Sequence, residues 1–451
     1  MYIILTNFII LCIISHMAFI ERTILNTIKN RLEKERIIIL TGSRQVGKTF
    51  IAKKIFEDIH INQKIFLNCE DLRQLANFEN IETFIKYLDF NSIDISKQTF
   101  IVIDEFQYIK NATKLLKIIY DLYENVKILA TGSSSIEIQK HMKESLTGRK
   151  KIYNVYSLSF DEFINFEDKS KKYSNISLEN ATTQNINSIN SIFLYKYLYY
   201  GGYPKITAEL STDEEKKEEL NEIYTSYLQK DIKSLINGEN IIAYNNLLKC
   251  IASQIGNLIN INELSNTTGL TRKQVENYLT ILQETFIIKM LPPFYTNKRK
   301  EISRMPKLFF SDQGLTNFVL NDFSEIFLRN NIGNIIENFV FNEIKTSIGT
   351  ADRIYFWRTL QGSEIDFIIQ TGRGLIPIEI KWKMFKTDVS SRAAASIPRS
   401  FNSFFELHKN ITTAIVVTAN YTSKRNVENK EVFFVPAVLI AKFIRSLLMH
   451  S

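Results

Sequence analysis

Between Arg36 and Ser159, short runs of β-branched and aliphatic residues alternate with stretches whose apolar positions follow the helical period. The runs are Arg36–Thr41, Lys64–Cys69, Thr99–Asp104, Lys127–Thr131 and Lys151–Leu158, and the helical stretches lie near Lys48–Ile59, Thr83–Leu88 and Thr113–Tyr123. Strands that are apolar along their length and separated by helices predict an α/β fold with a mostly parallel sheet covered on both faces. The pattern breaks at Asp168–Ser191, which is rich in Ser, Asn, Thr and Lys, has no period, and reads as a linker or long surface loop. Helical periodicity resumes over Ile192–Asn260, with Asp213–Glu219 as a charged, solvated face. A small helical module follows at Asn260–Phe294, and α/β alternation returns from Asn331. At roughly 150 residues per domain, the 451 residues divide into an extension at 1–16, a sheet domain at 17–165, a polar linker at 166–191, a helical region at 192–310 and an α/β domain at 311–451.

The composition, 45% hydrophobic and 23% charged, excludes a wholly disordered chain. The net charge of +8 is uneven: Thr271–Phe310 carries eight basic against three acidic side chains, and Asn331–Ser451 carries 15 against 10. The charge permits an anionic partner without requiring one, and it is concentrated in the second half. Cys12, Cys69 and Cys250, and His16, His60, His141, His408 and His450, are scattered without CxxC spacing. That argues against a structural zinc site or a disulfide framework and fits a reducing cytoplasm, so a metal here needs oxygen ligands. Residues 1–16 are almost wholly apolar, yet no Lys or Arg precedes Arg22, and the charged start of a signal peptide is missing. Either translation begins at Met17, or Met1–Ile20 attaches to a membrane; the absent flanking charge favours the first.

Gly42-Ser43-Arg44-Gln45-Val46-Gly47-Lys48-Thr49 follows the apolar run Ile37–Leu40, opens a helical stretch, and fits GxxxxGK[ST] at every position. In that context successive backbone N–H groups curl around phosphates at a helix N-terminus, Lys48 reaches the β/γ-phosphates and Thr49 ligates Mg²⁺. The run Phe100–Ile103 then ends in Asp104 and Glu105. Asp104 is suited to the Mg²⁺ shell and Glu105 to polarising an attacking water, which favours hydrolysis over nucleotide storage. The next run leads into Thr131-Gly132-Ser133-Ser134-Ser135. If it neighbours the phosphate-loop strand, Ser133 or Thr131 senses the γ-phosphate, against the plainer reading of a helix cap. Arg149, in Leu146-Thr147-Gly148-Arg149, either stabilises transition-state charge, in cis or across a homo-oligomer interface, or is a solvated member of the basic run Arg149–Lys151.

These segments, with the following Ser157-Leu158-Ser159-Phe160-Asp161-Glu162-Phe163, resemble the bacterial and archaeal AAA-type ATPases that join a P-loop core to a C-terminal domain of unknown function. Tyr199-Tyr200-Gly201-Gly202-Tyr203-Pro204 and Tyr227-Leu228-Gln229-Lys230-Asp231-Ile232 look like the C-terminal block of that family, so the resemblance spans nearly the whole chain. It implies a P-loop NTPase sheet with ATP and Mg²⁺ as ligands.

Ile261–Ser265 and Thr271–Leu279, joined through Gly269, read as helix, turn and Thr-capped helix, with Phe286–Phe294 as a following wing. Arg272, Lys273, Gln274 and Asn277 are expected on the exposed face of the second helix, with Lys298, Arg299, Lys300 and Arg304 adding charge for DNA phosphates. The same fold serves protein contacts equally well. Farther on, Ser363–Gln370 and Leu375–Trp382 flank Thr371-Gly372-Arg373-Gly374, and a hairpin there sets Asp366 opposite Glu379 with Lys381 on the same face. Facing carboxylates repel unless a cation bridges them, and Glu337 in the amphipathic stretch Gly333–Lys345 is placed to complete such a site. Glu337, Asp366 and Glu379-Ile380-Lys381 look like the PD-(D/E)xK restriction-endonuclease-like fold, which implies Mg²⁺ on the carboxylates and Lys381 assisting phosphodiester hydrolysis. The plain alternative is a solvated hairpin with a surface ion pair worth ~0–1 kcal/mol.

Together these features lead to the expectation of a cytoplasmic, Mg²⁺-dependent ATPase coupled to a DNA-binding, nuclease-like C-terminal half. The alternative is a nucleotide-operated switch that binds protein partners and carries a catalytically inactive nuclease-like domain.

Overall fold

The computed structural model describes residues 20–133, 148–227, 241–295, 305–359, 361–383, 396–408, 411–427 and 429–450. The expectations for residues 1–16, Ser134, Ser135, Leu146, Thr147, Leu228–Ile232, Lys298–Lys300 and Arg304 lie outside the described residues. Among the described residues no helix is long and apolar enough to cross a membrane.

Strands β1 (Ile37–Gly42), β2 (Gln63–Asn68), β3 (Thr99–Asp104), β4 (Val126–Ser133) and β5 (Lys151–Asn154) form one parallel sheet in the order β2-β3-β4-β1-β5. The two-residue period of the strands sorts their side chains between two cores. Ile37, Ile39, Ile101, Ile103 and Ile128 pack against Phe84, Leu88, Leu115, Leu116 and Ile119 of helices Ile81–Phe90 and Ala112–Leu122. Ile38, Leu40, Phe100, Val102 and Leu129 face Leu25, Ile28, Ile51 and Ile55 of helices Ile24–Leu32 and Lys48–Asp58. Burial on both faces explains why β1, β3 and β4 are apolar almost end to end.

The second core does not stop at the sheet domain. It continues through Phe160, Tyr197 and Leu198 to Leu279, Phe309, Phe339 and Ile378. The stretch read from composition as a linker is folded into it. Thr182 caps a helix at Thr183–Ile189 whose Ile186 and Ile189 are buried, Asn190 donates to the Ala419 carbonyl (2.9 Å), and Lys442 donates to the Ser174 and Ile176 carbonyls (2.5 and 3.0 Å). Ile186 and Ile189, spaced for one helix face, join Ile176 in docking a segment whose polar composition suggested otherwise. Asp213–Glu219 also departs from a solvated face. It starts the helix Asp213–Tyr227, and Lys216 and Glu219 are buried.

Helices Ile261–Thr268 and Arg272–Glu284 are joined by Gly269, whose φ of +71° ends the first helix, and by Thr271, which caps the second. A two-stranded antiparallel ribbon, β6 (Ile288–Leu291) and β7 (Lys307–Phe310), follows. The C-terminal sheet has the order β12-β13-β11-β10-β9-β8, with β8 (Arg353–Arg358), β9 (Glu364–Thr371), β10 (Gly374–Lys381), β11 (Thr413–Thr418), β12 (Ser423–Val427) and β13 (Lys430–Pro436). Helix Ile332–Ser347 buries Phe341 against Phe309 and Phe367, which fixes it over β7 and β9.

Candidate functional site

The sheet order sets β4 between β1 and β3, so the C-terminal ends of these three strands converge. β1 ends in Gly42 and helix Lys48–Asp58 begins after the loop 43–47. Gly47 caps that helix with φ +92°, a conformation that L side chains adopt only at a cost. Lys48 Nζ donates to the carbonyls of Gly42 (3.0 Å) and Ser43 (2.8 Å), so its ammonium lies across the mouth of the loop. Thr49 Oγ1 lies 3.0 and 2.9 Å from the two carboxylate oxygens of Asp104, to which it donates. A hydroxyl beside a carboxylate is the hard oxygen donor set that Mg²⁺ takes, so the residues fit a Mg²⁺–nucleotide, with Thr49 and Asp104 as the groups that would hold the ion.

Thr131, at the end of β4, donates to Asp104 and accepts from the Glu105 N–H (3.1 Å). Burial pushes the Asp104 carboxyl above its usual range; the Glu105 charge adds to this, and the hydrogen bonds from Thr131 and Thr49 oppose it. Glu105 sits in the left-handed region (φ 54°, ψ 47°), a strained placement typical of functional positions. Its carboxylate accepts from Gln107 Nε2, which also donates to Ser133 Oγ (3.0 Å). Of the two hydroxyls proposed as sensors, Thr131 thus touches Asp104 and Ser133 reaches Glu105 through Gln107.

A cleft of about 410 Å³ opens over this cradle, within the size range of small-ligand sites. Its far wall comes from the helical region: Pro204, Lys205, Ala208 and Glu219. Three participants had no sequence signal of their own. Arg22 donates to the Val46 carbonyl in the loop (2.8 Å), to the Tyr156 carbonyl (2.8 Å) and to Glu162 (3.1 Å), and is buried. Lys205 pairs with Glu219 at 2.5 Å. Gln107 lay two residues beyond the paired carboxylates, where proximity was its only mark.

Residues 34–164 match the family model described as an AAA domain. The N-terminal region is an AAA-type P-loop ATPase domain. Residues 193–325 and 332–439 match two domains of unknown function, DUF8612 and DUF4143. An uncharacterised protein of Methanocaldococcus jannaschii is 28% identical over 349 residues, covering 76% of this chain and 74% of that one. An uncharacterised protein of Haemophilus influenzae is 21% identical over 413 residues, covering 88% and 93%. Among solved structures, Thermotoga maritima RuvB aligns with a TM-score of 0.28 and 14% identity over 59% of this chain and 86% of that chain.

Within the AAA domain Arg149 is placed away from the cradle. β5 pairs Lys151 with Ile38, so Arg149 precedes the N-terminal edge of the sheet, about one strand length (~20 Å) from the phosphate loop. There it pairs with Asp121 (2.8 Å), and both it and Arg36 lie over the Tyr120 ring. The proposed action in cis does not fit this position.

In the second half, β9 and β10 pair Gln370 with Leu375 and Phe367 with Ile378, the register that sets Asp366 opposite Glu379. The turn is tighter than the four-residue loop expected, since Thr371 also pairs with Gly374. Asp366 accepts from the Ile380 N–H (2.7 Å) and Glu379 from Lys381 (2.7 Å), while Glu379 Oε2 is buried and has no partner among the described residues. Burial pushes the carboxyl of Glu379 up to about 7, helped by the Asp366 charge, and burial likewise raises that of Asp366.

Glu337 is paired with a lysine. It accepts from Lys307 (2.9 Å), a β7 lysine only 5% exposed, which also pairs with Glu364 (2.7 Å). Burial would depress the Lys307 ammonium, but the charges of Glu337, Glu364 and Asp366 hold it above its usual value. Among the described residues no three acidic, His or Cys side chains are grouped so as to hold a metal ion. In this set Lys307 supplies positive charge beside Glu337 and Glu364, while Asp366 and Glu379 face each other across the hairpin.

On helix Arg272–Glu284, Arg272, Lys273 and Asn277 are exposed, but Glu276 sits among them and pairs with Arg272 (3.0 Å). Gln274 is taken up by the helix cap, accepting from the Thr271 N–H (2.9 Å) and hydroxyl (2.8 Å). It belongs to the turn rather than to the exposed face.

Proposed function

We propose that this protein is a Mg²⁺-dependent ATP hydrolase whose nucleotide site acts on its C-terminal half. The observation that carries the reading is the Thr49–Asp104 contact at the mouth of the phosphate loop, with Glu105 one residue farther on. Bound Mg²⁺ supplies charge neutralisation at the phosphates. Lys48 binds the phosphates, Glu105 orients and polarises the attacking water, and Thr131 and Gln107 hold the two carboxylates apart in their roles.

Support for the coupling lies at Gly201–Pro204. Tyr203 lies against Ser43, and the Pro204 ring lies beside Gly47, both in the phosphate loop. Gly202 N–H donates to Asp312 (2.9 Å), and a Cβ at Gly201 (φ +79°) would stand 2.0 Å from the same carboxylate. Asp312 caps helix Gln313–Leu320 and follows β7, the strand that carries Lys307. One short segment therefore touches the phosphate loop and the root of the C-terminal charge cluster.

For the partner, the exposed Arg272, Lys273 and Asn277 and the basic excess of the second half support DNA phosphate contact. The pairing of Lys307 with Glu337 and Glu364 favours the second reading, in which the nuclease-like half is catalytically inactive and the protein is a nucleotide-operated switch. The test of the first claim is Mg²⁺-dependent phosphate release from ATP by wild type and Lys48→Ala: release is expected to vanish in the variant, and retained hydrolysis sinks the assigned site. Plasmid cleavage with Mg²⁺ and ATP, lost in Asp366→Ala, would restore the nuclease; intact DNA beside active ATP hydrolysis leaves the switch.

A further inference from the structure

A second and larger cavity, about 940 Å³, lies between the AAA-domain segment Ile152–Ser159, β6, the end of helix Ile332–Ser347 and the start of β8. Most of the charged groups on its wall are already engaged. Arg22 is paired with Glu162, Arg445 with Asp161, and Arg353 donates to the carbonyls of Thr350 and Asp352. Lys289 of β6 and Lys345 of the helix are different: among the described residues neither has an ion pair, and both line the cavity. The Lys345 ammonium rests over the Tyr156 ring, 3.8 Å from its centroid, on a side chain that is half-buried. Burial, with the Lys289 charge added, lowers it to about 7.

A half-buried ammonium is ordinarily paired, because removing its water is costly. The charge of the exposed Lys289 on the same wall adds to the disadvantage of Lys345, which an anion would remove. Lysine serves phosphate as a point charge, and the volume falls in the range of sites for whole small ligands. Met290, Ile354 and Tyr153 supply an apolar surface in the same cavity for the rest of such a molecule. We propose that this cavity binds a nucleotide-sized phosphate ester, with Lys289 and Lys345 as its phosphate ligands. The site is separate from the phosphate loop, although Arg22 lines both, and the proposal does not depend on ATP hydrolysis.

Calorimetric titration of the full chain with inorganic pyrophosphate, and separately with a short 5′-phosphorylated oligonucleotide, tests this. Four proteins are compared: wild type, Lys289→Met, the Lys289→Met/Lys345→Met double variant, and Lys48→Ala as the phosphate-loop control. Binding that persists in Lys48→Ala and weakens about tenfold or more in the double variant supports the site. Pyrophosphate as the better probe then identifies a free small ligand, and the oligonucleotide a strand end. Binding lost only in Lys48→Ala, binding unchanged in the double variant, or no binding of either probe overturns the proposal. The double variant removes an unpaired half-buried charge, so its thermal midpoint should equal or exceed that of wild type; a weakened site in a protein that melts lower is read from Lys289→Met, whose lysine is exposed.

Discussion

Arg22→Met is the substitution that most directly tests how the phosphate loop is supported. Met nearly preserves the buried volume, so packing loss is small and the change is chiefly electrostatic. It removes three hydrogen bonds made by one buried guanidinium, to the carbonyls of Val46 and Tyr156 and to Glu162. Breaking a buried ion pair from one side costs ~3–5 kcal/mol, because the remaining charge loses its partner. Here Glu162 keeps the Thr23 N–H (2.7 Å), the Thr23 hydroxyl (2.8 Å) and the Ser159 N–H (3.1 Å), which points to the lower end of that range. The expected loss is ~3 kcal/mol in the AAA domain, with ATP bound about tenfold more weakly as the Val46 carbonyl is released. Both tryptophans, Trp357 and Trp382, lie in the C-terminal half, so their fluorescence does not report this region. Hydrogen exchange of β1 and of helix Lys48–Asp58, together with calorimetric titration of ATP, does. A domain weakened by less than ~0.5 kcal/mol, the level of an ordinary surface change, with unaltered ATP affinity would refute the support assigned to Arg22.

Three further outcomes are expected. Glu105→Gln keeps ATP binding but lowers turnover by about 10²–10⁴-fold, the usual contribution of a general base; full phosphate release by the variant would remove Glu105 from the chemistry. The Glu343 carboxyl is pushed up to about 8, by burial first and then by the Asp161 charge. The folded chain therefore holds a proton that the unfolded chain gives up, and this group makes stability fall by roughly 1.4 kcal/mol per unit as pH rises between its unfolded and folded values. Glu343→Gln should flatten the stability profile between about pH 4.5 and 8, and parallel wild-type and variant profiles would contradict this. Lys307→Met leaves Glu337 and Glu364 without their ammonium and should cost ~3–5 kcal/mol; an unchanged thermal midpoint would show that the lysine is not what neutralises the cluster.

What the sequence disclosed follows the range of the interactions involved. The phosphate loop was legible because its parts are consecutive: a strand, a turn and a helix start within Ile37–Thr49, and each local requirement names its residue type. Asp104 and Thr131 were legible for a related reason. Parallel strands covered by helices on both faces announce themselves as apolar runs, and their chemistry collects where the runs end. The Asp366–Glu379 register came from the hairpin between them, where the pairing at the turn fixes every pair above it. Arg149 shows the limit: its neighbours in sequence suggest an anion site, but its place depends on which edge of the sheet the chain enters, and β5 enters from the edge opposite the cradle.

Lys307 shows the limit more sharply. In the sequence it is one more cation in a basic tract, counted toward a surface that meets phosphates. Its burial depends on β7 pairing with β6, and its partners Glu337 and Glu364 arrive from a later helix and strand. Neither contact has a local signature. The consequence is chemical rather than cosmetic: Glu337, read from the sequence as a ligand of a divalent ion, is paired with a lysine in the fold. Three acidic side chains and a spacing could define a charge to be balanced, but only the fold could place a lysine beside one of them.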